Sequence, residues 1–443
     1  MPWQTLTPNA DGDWINARNP LFETFMPLGS KDDKSARTVF SIYSLGVVTN
    51  RDAWAYNFSR SRLEANMSSM IETYNRETAR YAQACEGLAK DVRPEVEAIV
   101  DADPKRISWT RSLKADAKKH KIYGFEQASL APSMYRPFTK EWLYFNRRFN
   151  EMVYQMPRLF PTPEHENMVI SATGIGASKA FSALVSDCIP NLHMHDTGQC
   201  FPLYWYAKAD DAEAPDPRVD MFSDEVTPDT HGYIRHEAIT DAALAAFQGH
   251  YRDTTISKED LFWYVYGILH SPEYKEQFAS DLKKMLPRIP YAGDFWAFSQ
   301  AGRSLGDWHL HYETVEPYPL TEDAPRPLTD ADYRVTKMAF GKKDGKPDKS
   351  VIVYNAHLTL RDIPLEAYDY VVNGKSAIEW VMERYAVTVD KDSGIRNDAN
   401  DWSEDPRYIV ELVKRVVRVS VETVGIVASL PSLQSLSDAN PQC

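Results

Sequence analysis

Apolar side chains recur every three or four residues in several parts of the chain, which is the spacing of one helix face. Between residues 63 and 88 they alternate with Glu and Arg, and we predict one long amphipathic helix there. Ser257 and Asp260 have the spacing of a capping box and predict the start of a second helix. Pro272 suits the first turn of the next helix, and residues 295–309 place their apolar positions on one face of a further helix.

Shorter runs of β-branched and aromatic residues, bounded by turn residues, predict strands. Three such runs lie at 142–145, 168–172 and 200–206. Asp344 and Gly345 are a strong turn signal and predict a hairpin, whose return strand would alternate from Ile352 to Leu360. Amphipathic helices mixed with several short strands and hairpins predict an α+β fold with helical and β-rich lobes.

Connections rich in proline and aspartate, at 207–230 and 313–332, divide the chain and are interpreted as exposed loops. We expect four parts: a segment with the long helix, a β-rich basic region, a helical region, and a hairpin with C-terminal helices. Their ranges are 1–100, 101–230, 231–325 and 326–443. The last helix should have Asp405 as its cap and Pro406 at its first position.

The tripeptide Gly-Lys-Ser at 374–376 is how a phosphate-binding P-loop ends. Asp369 stands where the first glycine of such a loop belongs, so the full motif is missing. Asn373 and the glycine after it predict a tight turn instead. Ser376 and Glu379 form a second capping box, which predicts that a helix begins here and that no nucleotide binds.

Two further motifs suggest chemistry and have plainer interpretations. The first is a set of residue types that suit zinc, namely Cys188, His193, His195 and Cys200. Their spacing, however, matches no common zinc motif. Buried thiols and structural histidines are the favoured interpretation. The run Thr173–Gly176 has two glycines but not the full dinucleotide-binding pattern, which favours a flexible loop. We predict no catalytic and no metal-binding residues.

Composition is that of an ordinary globular protein, with 443 residues, 43% hydrophobic and 26% charged. The four cysteines are too few and too scattered for a disulfide framework, which favours a reducing compartment. The first residues have no basic or apolar signal region. The most apolar helix candidate, 408–427, is interrupted by charged residues and is not predicted to span a membrane. These features predict a cytoplasmic protein.

The net charge is −13, yet one block is strongly basic. Residues 104–148 carry eleven cations and three carboxylates, a net +8 that leaves −21 on the rest of the chain. On a helix starting near Thr110, the cations at 111, 114, 118 and 121 would share one face. Such a face can follow the phosphates of a nucleic acid. The alternative is a solvated helix face balanced by acidic neighbours in space.

Several stretches, in order, resemble the C-terminal part of type ISP restriction-modification enzymes, which are large single-polypeptide systems. The stretches include VVTNRDAWAYNFS (47–59), YRPFTKEWLYFN (135–146) and QCFPLYWY (199–206). Others are GDWINARNPLFETFMPLG (12–29), KKMLPRIPYAGDFWAFSQAGRSLGDWHLHYE (283–313), VNGKSAIEWVMERY (372–385) and SGIRNDANDW (393–402). No single motif is diagnostic, but the ordered set covers nearly the whole chain.

The resemblance implies a target recognition domain that reads a short double-stranded DNA site. In that family a nuclease, a translocase and an adenine-N6 methyltransferase precede this region, so residues 1–100 would connect to the methyltransferase core. S-adenosylmethionine, ATP and Mg are then expected on the upstream domains or a partner, with no cofactor in this chain. A protein-interaction scaffold and an enzyme with an unrecognised site stay open as alternatives.

Side-chain chemistry then suggests which residues contact DNA, because cations bind phosphates and Arg, Gln and Lys read base edges. The candidate DNA-binding residues are Arg106, Arg111, Lys114, Lys118, Lys119, Lys121, Gln127, Arg136, Lys140, Arg147, Arg148 and Lys179. Further candidates for base contacts are Ser129, Ser133, Ser171, Thr173 and Ser178. At the predicted hairpin tip, Lys342, Lys343 and Lys346 could contact a flanking phosphate.

Overall fold

Helices and small sheets are interspersed along the whole described chain. The computed structural model describes Asp13 and residues 18–31, 33, 35–211 and 227–433. The helices in these ranges are α1 (Asp52–Ala55), α2 (Arg60–Ala84), α3 (Arg111–Ala117), α4 (Met156–Leu159), α5 (Asp241–Tyr251), α6 (Lys258–His270), α7 (Pro272–Gln277), α8 (Ala279–Leu282), α9 (Phe295–Leu310), α10 (Ala377–Arg384) and α11 (Tyr408–Ala428). Of these described helices, none is both long enough and apolar enough to cross a membrane.

Strands are short throughout the same ranges. They are β1 (Met26–Pro27), β2 (Ser44–Leu45), β3 (Tyr56–Asn57), β4 (Leu130–Arg136), β5 (Thr139–Tyr144), β6 (Val169–Ala172), β7 (Ala183–Ser186), β8 (Ile189–Pro190), β9 (Gln199–Pro202), β10 (Tyr204–Lys208), β11 (Tyr233–Glu237), β12 (Arg288–Ile289), β13 (Thr321–Asp323), β14 (Ala339–Lys343), β15 (Lys346–Val353), β16 (Thr359–Arg361), β17 (Val371–Val372), β18 (Lys375–Ser376), β19 (Val387–Val389) and β20 (Arg396–Asp398). The α+β prediction is therefore confirmed.

Three four-stranded sheets organise the strands, in the orders β2-β9-β6-β7, β3-β5-β4-β8 and β13-β16-β15-β14. The strand pairings are antiparallel apart from β4 and β8, where Ser133 lies opposite Ile189 in a parallel pair. Strands from distant parts of the sequence meet in the first two sheets. Both sheets therefore depend on long-range pairing, which brings loops from separate regions onto one surface.

The capping boxes that begin two helices, and the turn before one of them, form as the sequence predicted. Ser257 accepts a hydrogen bond from the backbone N–H of Asp260, whose carboxylate accepts from the backbone N–H of Ser257, and α6 begins directly after it. Ser376 and Glu379 do the same at the start of α10. The turn before that helix holds Asn373 at a φ of 49°, so Gly-Lys-Ser forms a turn and a helix start. Both capping boxes and this turn confirm the predictions.

Two predicted boundaries were wrong. The return strand of the hairpin ends at Val353, because Asn355 Oδ1 accepts backbone hydrogen bonds at 2.8 and 2.9 Å and turns the chain. Ile352 therefore lies opposite Leu360 on neighbouring strands, where one alternating strand was predicted. The last helix begins at Tyr408, since the predicted cap Asp405 makes a turn that precedes it.

Two other elements are also shorter than predicted. The run at 200–206 forms two strands, β9 and β10, which are separated at Leu203. The helix after Thr110 ends at Ala117, so Lys121 lies beyond it and does not extend its basic face. Of the predicted connection at 207–230, residues 212–226 lie outside the described ranges.

Three hydrophobic cores hold these elements together. The largest packs α5, α6 and α9 against β6 and the chain near Phe22. A second joins α10 and α11 to the β13–β16 sheet, and a third lies under α2 and α3. Each core gathers residues from distant segments. The predicted division into four parts stays a prediction.

Candidate nucleic-acid interface

The basic face of α3 is positioned by a short, well-capped helix. Thr110 Oγ1 accepts a hydrogen bond from the backbone N–H of Leu113, which satisfies one donor of the first turn. Leu113 and Ala117 are buried in the core under α2. This packing turns Lys114 and Lys118 toward the surface. The helix thus presents cations outward as the sequence predicted, over two turns only.

Acidic residues upstream of the helix neutralise most of this face. The Lys114 ammonium lies 2.7 Å from Glu97, and Lys118 lies 2.6 Å from Glu95. The hydrogen bond from Lys114 lowers the pKa of Glu97, as the carboxylate form is favoured. Surface ion pairs of this kind contribute little stability. They nevertheless cancel much of the local field that a phosphate would meet.

Carboxylates also pair with cations on either side of the helix. Arg106 lies 3.1 Å from Asp101, and Lys121 lies 3.0 Å from Asp116. Despite partial burial, which opposes the shift, hydrogen bonds from Tyr123 and Lys121 lower the pKa of Asp116. The block that is strongly basic in sequence is therefore close to neutral over much of its surface.

Arg136 is part of the internal structure. Its side chain is 12% exposed, and Nη1 donates to the Tyr135 carbonyl at 2.6 Å and to Asn191 Oδ1 at 3.0 Å. The guanidinium also lies 3.9 Å from the centre of the Tyr135 ring. These contacts use both donors of Nη1, and Nη2 lies 3.8 Å from Asp52. Contact with DNA would require this side chain to leave them.

Lys140 is similarly enclosed, with 13% of its side chain exposed. Its ammonium lies 2.9 Å from Glu313 and 3.4 Å from Asp187. Burial alone would lower the pKa of Lys140, but these carboxylates raise it above its usual value. The lysine joins β5 to the segment after α9, which is a structural role. Its predicted DNA contact remains untested.

The remaining predicted cations are exposed. Among the described residues, Arg111, Lys119, Arg147 and Lys179 have no ion-pair partner. Arg148 places its guanidinium 5.8 Å from the centre of the Tyr123 ring. These five side chains come from three parts of the chain, which are α3 and the turn after it, the loop after β5, and the loop after β6. Their use in DNA binding remains a prediction.

Arg147 and Arg148 line a groove of about 490 Å³. Phe145 and Phe160 line the groove as well, and so does Asn146, whose amide donates to Glu126 at 2.9 Å. Exposed guanidinium groups can pair with phosphates, although two carboxylates, Glu126 and Asp187, line the same groove.

A larger cleft of about 910 Å³ was missed from the sequence. Gln127 lines it, together with Arg60 and Arg62 from the start of α2 and Arg334 from a distant segment. Arg62 lies 3.2 Å from Asp401, while the Arg60 guanidinium lies 5.1 Å from the Trp142 ring centre. The first turn of α2 meets the segment near residue 400 only in the folded chain. No local sequence pattern signals such a cleft.

Most of the hydroxyl groups suggested for base reading bond within the protein. Ser133 Oγ donates to the Ile189 carbonyl at 2.6 Å, and Ser171 Oγ lies 3.1 Å from His195 Nδ1. Ser129 and Thr173 are also buried. Ser178 is exposed, and so are the hairpin-tip residues Lys342, Lys343 and Lys346. The three lysines have side chains open to a ligand, whereas the Ser178 hydroxyl donates to Asp196.

The Cys and His set is internal. Cys188 and Cys200 are buried, and burial raises the pKa of each thiol to about 12. Burial also lowers the pKa of His195 to about 3, whereas His193 is exposed. Within the described ranges, no group of three or more His, Cys, Asp or Glu side chains could hold a metal ion. The buried members of the set pack as structural residues.

One carboxylate is enclosed between two regions of the fold. Glu141, on β5, lies opposite Ser133 and accepts a hydrogen bond from Asn397 at 2.9 Å. Burial raises the pKa of Glu141 to about 7, although Arg136 and Arg384 act in the other direction. The group therefore links the β4–β5 pair to the hairpin that ends in β20.

The fold matches those of enzymes solved with DNA. A nuclease-deletion mutant of the type ISP restriction-modification enzyme LlaGI, in complex with a DNA substrate mimic, is 34% identical over 98% of this chain and 36% of that one, with a TM-score of 0.81. The ATP-dependent type ISP enzyme LlaBIII bound to DNA is 32% identical over 97% of this chain and 25% of that one, also with a TM-score of 0.81. A chain of a DrdV–DNA complex is 32% identical over 98% of this chain and 41% of that one, with a TM-score of 0.78.

The architecture is therefore one found in type ISP restriction-modification enzymes. The chain belongs to the type ISP C-terminal specificity domain family, whose model matches residues 38–412. It spans between 25% and 41% of the length of the three solved relatives. No curated protein matches the sequence. The family resemblance predicted from the ordered stretches is confirmed.

Proposed function

We propose that this chain recognises a specific double-stranded DNA sequence for a restriction-modification enzyme. The observation that carries the proposal is the likeness of nearly the whole chain to parts of three enzymes solved with DNA or a DNA mimic. Membership of a specificity domain family supports it. The chain would hold the duplex that flanks a target adenine while an adenine-N6 methyltransferase part acts on that base.

Recognition of a DNA sequence requires two kinds of contact, and surface charge indicates which residues suit the first kind. Phosphate contacts fix the register of a protein on DNA, whereas contacts to base edges select the sequence. Exposed, unpaired cations such as Arg147 and Lys119 suit the first role. The net charge of −13 disfavours unspecific binding elsewhere on the surface, because like charges repel. Binding should therefore be confined to a few basic surfaces.

The chemistry itself is proposed to lie on other parts of the system. Methyl transfer needs S-adenosylmethionine and an extruded base, and translocation and cleavage need ATP and Mg. We place these groups on the methyltransferase and translocase–nuclease parts, on the same polypeptide or on a separate subunit. The described residues of this chain contribute binding and orientation.

Selection from a randomised duplex pool, at two salt concentrations, tests the proposal. We expect enrichment of one asymmetric motif and an affinity that falls as salt rises. Replacing Arg147 and Arg148 by Ala should weaken binding to all sequences alike and lower the log–log salt slope by roughly 2. A folded chain that binds no duplex, alone or with its methyltransferase part, would contradict the proposal and favour a protein-interaction scaffold.

A further inference from the structure

The loop between β6 and β7 is exposed and yet firmly held. The backbone N–H of Gly174 donates to the Asp196 carbonyl at 2.9 Å, and that of Gly176 donates to the Lys283 carbonyl at 2.9 Å. Ser178 donates from its backbone N–H and its hydroxyl to Asp196 Oδ2, each at 2.7 Å. The sequence favoured a flexible loop. These four hydrogen bonds instead fix it from two neighbouring segments.

Both glycines of this loop are required by its geometry. A Cβ atom on Gly174 would lie 1.9 Å from the Thr197 carbonyl oxygen, so no side chain fits there. Gly176 has a φ of +75°, which L-residues rarely adopt. The residue between them, Ile175, is 47% exposed. The loop therefore presents an apolar side chain to solvent on a fixed backbone.

Two exposed lysines belong to this loop and to a segment that holds it, Lys179 and Lys283. The stem of Lys179 lies against Gly374, where an added Cβ would be 3.0 Å from Lys179 Cδ. That turn is tied to the same region, since Asn373 Oδ1 accepts from the Asp196 backbone N–H at 3.0 Å. Lys283 contributes the carbonyl that holds Gly176. Neither Lys179 nor Lys283 has an ion-pair partner within the described ranges, in contrast to Lys114 and Lys118.

We propose that loop 174–179 is a DNA-reading element, in which Ile175 packs against a base edge while Lys179 and Lys283 contact the neighbouring phosphates. The inference rests on the proposed function and names the surface that performs it. Apolar side chains read the methyl group of thymine in the major groove. A loop that is already rigid loses little conformational freedom on binding, which favours affinity and a fixed register.

Charge favours DNA over a protein partner at this surface. The Asp196 carboxylate beside this loop accepts two hydrogen bonds from Ser178, which hold it within the protein. Ile175, Lys179 and Lys283 are exposed on this part of the surface, and the two lysines lack ion-pair partners in the described chain. A polyanion with apolar groups in its groove matches that arrangement, whereas a hydrophobic protein interface would require a wider apolar patch.

The experiment compares motif selection and salt-dependent binding for two variants and their controls. Ile175→Ala should lose preference at one position of the selected motif, with roughly fourfold weaker binding to the preferred duplex, the effect of about one buried methyl group. If that position is a thymine, replacing it by uracil should weaken the wild type and leave Ile175→Ala unaffected. Ile122→Ala, at a side chain that is 70% exposed and distant in sequence, should bind as the wild type does.

Lys179→Ala combined with Lys283→Ala should weaken all sequences alike and lower the salt slope by about 2. Lys90→Ala with Lys337→Ala changes the net charge equally and should leave the slope nearly unchanged. Wild-type binding with an enriched motif, but normal binding by both loop variants, overturns this inference and leaves the proposed function intact. Uniform loss for Ile175→Ala, without a change at any one position, also overturns the base contact. Failure of the wild type to bind DNA would instead refute the proposed function.

Discussion

At the scale of single residues, the enclosed carboxylate of Glu141 should make stability depend on pH. Its pKa is about 7 in the folded protein, raised by burial from an ordinary value of 4.5. The folded state therefore keeps a proton that the unfolded chain releases above pH 4.5. Stability from this group is full below pH 4.5 and is lost as the pH rises through 7.

Glu141→Gln should remove this loss. Glutamine keeps an oxygen that can accept the hydrogen bond from Asn397, and it carries no charge to bury. At pH 8 we expect the variant to be more stable than the wild type by on the order of 1–3 kcal/mol, and at pH 4.5 the difference should be small. Urea unfolding at both pH values measures this. Equal differences at the two values would show that Glu141 does not titrate as described.

Residue types in the sequence predicted which side chains carry charge, but not which charges stay available. Lys114 and Lys118 are paired with Glu97 and Glu95, which approach from a segment before the helix. Lys140 lies on a strand that packs inside the fold, where Glu313 reaches it from far along the chain. Charge counting along a sequence has no information about such partners. The sequence therefore supplied candidate residues, the folded chain supplied their partners, and their role in DNA binding stays a prediction.

At the scale of elements, features set by neighbouring residues were predictable. The capping boxes at Ser257 and Ser376 need only residues three positions apart, and both form. The strand after the hairpin was predicted too long, since alternation continued through Asn355, whose side chain turns the chain. Short-range hydrogen bonding of this kind competes with the hydrophobic pattern.

Close packing of α6 against α9 depends on small residues at their crossing. A Cβ atom on Gly302 would lie 1.9 Å from the Trp263 carbonyl oxygen, which is backbone and cannot move aside easily. Gly302→Ala should therefore separate the helices and destabilise the protein by about 1–3 kcal/mol. Thermal unfolding, followed by circular dichroism, measures the change.

Gly249, in α5, is the matched control. An added Cβ meets nothing within 4 Å there. Because alanine is the better helix former, Gly249→Ala should stabilise the protein by about 0.5–1 kcal/mol. A gain at both positions would contradict the close approach of α6 and α9.

At the scale of the whole molecule, the surfaces that matter are assembled from distant segments. The turn at Asn373 meets the loop that contains Lys179 through a hydrogen bond to Asp196. The larger cleft joins Arg62 to Asp401 in the same way. The ordered family stretches predicted the function class, because they span the chain. They could not place these surfaces, which depend on tertiary contacts.

The lysines of α3 are neutralised by carboxylates, and removing those carboxylates tests whether this helix faces DNA. Glu95→Gln with Glu97→Gln would release Lys118 and Lys114 from their ion pairs. If α3 faces the duplex as predicted, two more cations become available to phosphates. Affinity should then increase for all sequences alike, and the log–log salt slope should steepen by up to about 2.

A general change of net charge must be distinguished from this local release. Glu276→Gln with Glu366→Gln also removes two negative charges, at exposed positions that have no ion-pair partner in the described part of the chain. Attraction to DNA over long distance would rise equally in both double variants and would disappear at high salt. Direct phosphate contacts change the slope itself, so only the Glu95 and Glu97 pair should steepen it. Equal slopes in the two variants would place α3 away from the DNA and leave Arg147, Arg148 and the loop with Lys179 as its contacts.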